Sequence, residues 1–368
     1  MARAIRPLRV LYVMSQLRPS SRAGGMGRVA WGFARGLVGR GHQVHLTGPP
    51  AGFEVEHENG IELHPWPRGG RVVQLAALIR LQRRLRAQIL HFHSALPHGE
   101  LIVPMRLLRS FLGDPRIVVT PYTSMRSHYP KLRARTGLSA ADGVITSSRW
   151  SADAAIRAGA CAERCFVVPA SVDPVSELSD KRLQVVVALG RLKHVKGFDV
   201  LIDAFDRAAL TRPDWSLRIG GEGTERDRLE ARIRASRHAD RIELLGGVYD
   251  DAKQRLLGES AIGVVPSRAE NFPGTLLEFE AHGLACIASD VGGIPELARN
   301  GAALLVPPGD SEALARALGE LMDDAELRTS MGRAAAKSAS TLDPDTNSEQ
   351  LELAYRAILE RAGGASPP

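Results

Sequence analysis

Apolar positions in the first half of the chain come in short unbroken runs, each followed by a turn and then by a longer stretch with helical spacing. LRVLYVM (8–14) predicts a parallel strand buried on both faces. The loop SQLRPSSRAGGMG, a helix over RVAWGFARGLVGRGH and a strand at QVHLTG complete a βαβ unit. Further strands are expected at QILHFH, RIVVTPY, DGVITSS and CFVVPAS, with helical stretches such as QLAALIRLQRRLRAQ between most of them.

The polar, turn-rich DPVSELSDKR (173–182) interrupts this alternation and reads as a linker. The pattern then restarts. LQVVVALG, WSLRIGGEG, RIELLGG, AIGVVPS, ACIASD and GAALLVPPGD read as strands, and GFDVLIDAFDRAAL, TERDRLEARIRASR, YDDAKQRLLGES and TLLEFEAHG as helices. The tail, SEALARALGELMDD, AELRTSMGRAAAKSA and NSEQLELAYRAILERA, is helical. Two runs of strand–helix alternation predict an α/β protein of two doubly wound domains, over 1–175 and 176–345. Residues 346–368 form a last helix and tail that return to the first domain. No repeat of solenoid length is present.

Composition sharpens this division. At 368 residues and 44% hydrophobic content, two soluble globular domains are the natural expectation. Residues 1–175 carry 24 Lys and Arg against 10 Asp and Glu, whereas the remainder carries 24 against 31. A basic half attracts nucleic acid, an anionic membrane surface or an acidic substrate, or is simply an arginine-rich surface. Cys161 and Cys165 lack a second ligand pair and read as structural thiols, as does Cys286. The N-terminal apolar run is too short for a signal peptide and nothing approaches a spanning helix. A cytoplasmic chain is expected, with peripheral contact at the inner face of a membrane as an added option.

Candidate chemistry gathers where strands of the second half end. ALGRLKHVKGF puts Arg191 and Lys196 around a short loop between strand and helix, as a diphosphate clamp would. In PSRAENFPGTLLEFEAHG, a tight loop carries Glu270, and a helix starting near Thr275 carries Glu278 one turn in. Pro273 has no N–H, so Gly274 and Thr275 are the expected donors at the positive end of that helix. Two carboxylates at different depths suit the hydroxyls of two sugar rings. The sole Asp-x-Asp, Asp343-Pro344-Asp345, precedes the last helix and reads as cap and turn, so no metal is expected.

The ordered set GRLKHVKGFDVLIDAF, IGGEG, Glu270 to Glu278, ASD and GG-PE resembles the retaining family-four glycosyltransferases, also called glycosyl transferases group 1. The resemblance covers nearly the whole chain and is strongest over about 185–310. It implies a GT-B fold, two Rossmann-like domains facing across a cleft, with a nucleotide-diphosphate sugar held by the C-terminal domain. Glu278 would then take the ribose hydroxyls and Glu270 those of the transferred sugar. The amides of Gly274 and Thr275 would approach the sugar or diphosphate. Arg191 and Lys196 would neutralise the leaving diphosphate, with no cofactor beyond the donor itself. The glycine turn Gly24–Gly27 matches the family, and the Gly25 N–H is expected at the donor phosphates.

In the first half, His93 ends a strand and is either a substrate contact or a structural histidine. VVTPYTSMRSHYP departs from the family, which commonly has His where this chain has Tyr122, and the sequence leaves open whether His128 compensates. VVPASVDP also lacks the usual Asn-Gly. PMRLLRSFLG reads as a buried helix edge rather than an interfacial segment. The expected partners are a nucleotide-sugar donor and a small-molecule, glycan or lipid-linked acceptor, with no nucleic acid, since no RNA-binding motif is present. Competing readings are a nucleotide-sugar epimerase or a phosphorylase on the same two-domain plan, and a non-catalytic binder of anionic lipid or nucleic acid.

Overall fold

The computed structural model describes residues 6–14, 17, 25–51, 55–94, 99–122, 131–175, 177–179 and 181–363. The chain divides into two compact units, residues 1–171 with 344–368, and residues 172–343. The crossing therefore falls at Ser171/Val172, slightly before the polar stretch 173–182.

Unit 1 contains β1 (Arg9–Met14), α1 (Gly25–Gly39), β2 (Gln43–Ala51), β3 (Glu56–Glu58), β4 (Ile61–Trp66), α2 (Arg71–Leu85), β5 (Ile89–Ser94), α3 (Gly99–Leu107), β6 (Arg116–Pro121), α4 (Lys131–Ser139), β7 (Gly143–Thr146), α5 (Arg149–Arg157) and β8 (Cys165–Val167). Its sheet runs β3-β4-β2-β1-β5-β6-β7-β8, parallel except for β3 against β4. The β3–β4 hairpin was not anticipated from the sequence. Its two-residue turn is Asn59-Gly60, both at positive φ (51° and 76°), the backbone a tight hairpin needs.

Side chains of this sheet alternate between two cores. Val10, Tyr12, Val44, Leu46, Ile61 and Leu63 pack with Trp31, Phe33 and Leu37 of α1, whereas Leu11, Val13, Leu90 and Phe92 pack with Leu78 and Leu85 of α2. PMRLLRSFLG divides likewise. Met105 and Leu112 are buried, but Leu107 and Phe111 are 75% and 80% exposed, so the segment is only half the buried edge expected. Cys161 is exposed, whereas Cys286 is buried.

Unit 2 contains β9 (Val185–Leu189), α6 (Phe198–Ala208), β10 (Ser216–Gly220), α7 (Arg226–Arg234), β11 (Ile242–Gly246), α8 (Asp250–Glu259), β12 (Ile262–Val265), α9 (Gly274–Ala281), β13 (Ala285–Ser289), α10 (Ile294–Leu297), β14 (Ala303–Val306), α11 (Ser311–Asp323) and α12 (Ala325–Ala339). All six strands are parallel, in the order β11-β10-β9-β12-β13-β14. Strand order reverses between β9 and β12, which opens a crevice at their C-terminal ends.

The last helix, α13 (Pro344–Gly363), belongs to unit 1. Leu351, Ala354, Tyr355 and Ile358 bury in the core beneath α1, and Glu352 binds Arg40 at 2.8 Å and Arg356 at 2.7 Å. Among the described residues no helix is long and apolar enough to cross a membrane.

Candidate functional site

The turn after β9 carries Arg191 and Lys196, and the turn after β12 carries Glu270, so these residues flank the reversal point of the unit 2 sheet. The two turns are bolted together. Arg268 grips both carboxylate oxygens of Asp199 at 2.7 and 2.8 Å, reaches the His194 carbonyl at 2.8 Å, and donates its backbone N–H to Val195 O at 2.8 Å. Burial raises the Asp199 carboxyl's pKa, but the Arg268 fork outweighs it and leaves the group below its ordinary range.

On this frame Lys196 Nζ pairs directly with Glu270, and Ser267 Oγ lies 3.4 Å from the same carboxylate oxygen. Both partners are largely shielded, at 23% and 14% side-chain exposure. Arg191 sits exposed on the Lys196 loop. The two cations expected to face the acids together thus divide, one engaged and one open to solvent.

Glu278 lies one turn into α9 and accepts from Lys253 Nζ of α8 at 2.9 Å. His282, at the end of the same helix, contacts Gln254 at 2.7 Å, which fixes α8 beside α9. Lys253 was missed from sequence because nothing in YDDAKQRL marks a partner 25 residues away. Arg268 could have been found, since it stands two residues before Glu270.

The start of α9 modifies one expectation. The helix begins at Gly274, next to the Thr275 start expected, and Pro273 occupies the N-cap without a side-chain cap. The Gly274 N–H donates to Phe272 O at 3.1 Å, so it is already engaged, whereas Pro273 O accepts from Leu276 and Leu277. Of the two donors expected there, Thr275 is the one whose N–H keeps a helix-start position without that engagement. Gly292, in the turn after β13, has φ +64°, and a Cβ there would lie 1.6 Å from Glu270 O. Gly292 therefore packs closely against the backbone that carries the acid.

In unit 1, Gly25 is the first residue of α1; Gly24 and His128 lie outside the described residues. His93 and Tyr122 end neighbouring strands β5 and β6, with His93 Nδ1 2.9 Å from the Tyr122 hydroxyl. His93 is 2% exposed, its Nε2 has no hydrogen-bond partner among the described residues, and burial pushes its pKa down to about 3. Behind it Thr120 donates to His91 Nε2 (2.8 Å), His91 Nδ1 to the Tyr355 hydroxyl (2.6 Å), and Tyr355 to Tyr12 (3.2 Å). Burial, with His93 beside it, holds His91 neutral, and this chain of bonds suits the neutral ring.

The family model "Glycosyl transferases group 1" matches residues 172–338, and "Glycosyltransferase Family 4" matches residues 23–175. The chain is 34% identical over 197 residues to the exopolysaccharide phosphotransferase SCO2592 of Streptomyces coelicolor, covering 53% of this chain and 20% of that protein. It is 24% identical over 365 residues to N-acetyl-alpha-D-glucosaminyl L-malate synthase of Bacillus anthracis, covering 91% and 93%. Among the curated relatives matched at 28% identity or more, the chain spans about half their length or less. In structure it is similar to Anabaena HepE solved with UDP, with a TM-score of 0.78 at 19% identity over 95% of this chain and all of that one. Two parallel-sheet units of this kind are the GT-B fold, and the chain belongs to the group 1, family 4 glycosyltransferases.

Proposed function

We propose that the chain moves a sugar from a nucleoside-diphosphate sugar to an acceptor hydroxyl, with retention of configuration and without a metal at the donor site. The pair Lys196–Glu270 beside the start of α9, at the reversal point of the unit 2 sheet, carries this reading. A neighbour in fold, HepE, was solved with UDP and with UDP-glucose, which supports a nucleotide-sugar donor.

Breaking a glycosyl–phosphate bond leaves negative charge on phosphate oxygens, and fixed cations plus a helix start stabilise it. Lys196 and Arg191 supply the cations, and the Thr275 N–H supplies the helix donor. As the diphosphate draws on Lys196, Glu270 is released to accept from hydroxyls of the transferred sugar. Glu278, held by Lys253, accepts from the ribose.

The acceptor hydroxyl, on a small molecule, glycan or lipid-linked sugar, must lose a proton. With a pKa near 3, His93 is a poor base at neutral pH, and burial holds the Tyr122 phenol protonated. On this reading the departing phosphate oxygen takes the proton, so the acceptor attacks from the leaving-group face and configuration is retained. His93 and Tyr122 orient rather than titrate.

Glu278→Ala and Lys196→Ala should each lower turnover by about 100-fold or more while circular dichroism stays unchanged. The assay is release of nucleoside diphosphate, with and without acceptor. Full activity in both variants refutes the assignment, and conversion of the donor sugar without acceptor points to an epimerase instead.

A further inference from the structure

The hairpin edge of the unit 1 sheet brings together three groups that the transfer reaction does not use. His45 on β2 sits directly opposite Glu62 on β4, and His64 lies two residues on from Glu62. Alternation puts all three on the α2 side of the sheet, away from Leu46 and Leu63. His45 and His64 are 8% and 1% exposed. His45 Nδ1 is 3.1 Å from His64 Nε2 and 3.2 Å from Glu62 Oε2, and His64 Nε2 is 3.4 Å from Glu62 Oε1.

We propose that His45, Glu62 and His64 form a zinc-type divalent metal site that staples the β3–β4 hairpin to β2. Tetrahedral zinc bound at about 2.0–2.1 Å holds its ligand atoms about 3.3–3.4 Å apart, close to the three separations found. Two imidazoles and one carboxylate are a borderline N/O donor set that suits zinc over magnesium or calcium. The fourth position falls to water or to His57, which pairs with Glu62 across the hairpin and is exposed.

Arg84 opposes binding. Its guanidinium lies 3.0 Å from His64 Nδ1, so in the metal-free state Nδ1 accepts and Nε2 carries the proton. Zinc needs the Nε2 lone pair. The ring proton must then move to Nδ1 through solvent, and Arg84, which is exposed, must swing away. Arg84 thus competes with the ion, and hydrogen bonding alone holds the triangle when none is bound.

The test uses the full chain, freed of metal by a chelator and titrated with Zn2+ by calorimetry and with Co2+ by visible absorption. One ion per chain is expected, with the intense absorption of tetrahedral Co2+ and a thermal midpoint raised by about 5 °C at saturating zinc. Glu62→Gln and His45→Gln should each weaken binding by about 100-fold or more, and Arg84→Ala should tighten it several-fold. Glu62 is partly exposed, so its near-isosteric replacement keeps a folded control, checked by circular dichroism. No binding by the wild type, equal binding in both ligand variants, or weaker binding in Arg84→Ala overturns the proposal. Sugar transfer is not the readout, so the outcome is independent of the donor-site reading.

Discussion

Glu280 is the residue most at odds with its surroundings. It sits on α9 between Phe279 and Ala281, fully buried, and neither carboxylate oxygen has a hydrogen-bond partner among the described residues. Burial raises its pKa to about 8, so the side chain is a neutral acid at pH 7. In the unfolded chain it ionises near its ordinary value, so between about pH 4.5 and 8 the native state binds more protons. Its contribution to stability is therefore full at low pH and is lost as pH rises through that window. Compared with wild type, Glu280→Gln should gain about 3 kcal/mol in the unit 2 transition between pH 5 and 8, read from urea melts at several pH values. Equal pH slopes in the two proteins would show that Glu280 is solvated or paired. Its neighbour Glu278, two residues earlier on the same helix, contacts a lysine and has the opposite task.

At the level of elements, the turns after β9, β12 and β13 behave as one assembly. Arg268 fixes the first two to each other, and Gly292 lets the third approach the Glu270 carbonyl. Gly292→Ala must displace that contact and is strained by its positive φ besides. It should reduce kcat/KM by about 10- to 100-fold with little change in far-UV circular dichroism, because the acid moves while the sheet does not. Unchanged kinetics would mean the turn can relax without Glu270. These elements were legible where runs and spacing were strong: every strand and most helices of unit 2 fall inside the segments expected from the sequence. The Glu270–Glu278 spacing also located the loop and helix correctly. What escaped was non-local or short. The Lys253–Glu278 and Lys196–Glu270 pairs depend on how α8, α9 and the β9 turn pack, which no single segment encodes. The β3–β4 hairpin has strands too brief for a periodic signal, although its Asn-Gly turn was in plain view. The local bond from the Gly274 N–H to Phe272 O likewise depends on loop geometry that composition does not encode.

For the whole molecule, the decisive feature is the return of α13 to unit 1. It supplies Tyr355 to the buried hydroxyl–imidazole chain and four apolar side chains to the core under α1, and Asn347 binds the Pro169 carbonyl at 2.9 Å. A chain ending at Asp343 would leave His91 and Tyr12 without those partners and expose the core. Its calorimetric trace should keep the unit 2 transition within about 2 °C, whereas unit 1 melts about 10 °C or more lower, or not cooperatively. A single unaltered pair of transitions would show that α13 is dispensable. Unit 2 is thus an uninterrupted stretch inserted into a unit 1 that is assembled from two separated pieces. On the ribosome the usual order of domain maturation is then reversed. The part made first stays incomplete, with an uncovered apolar face, until the final helix emerges, while the part made second can finish folding ahead of it.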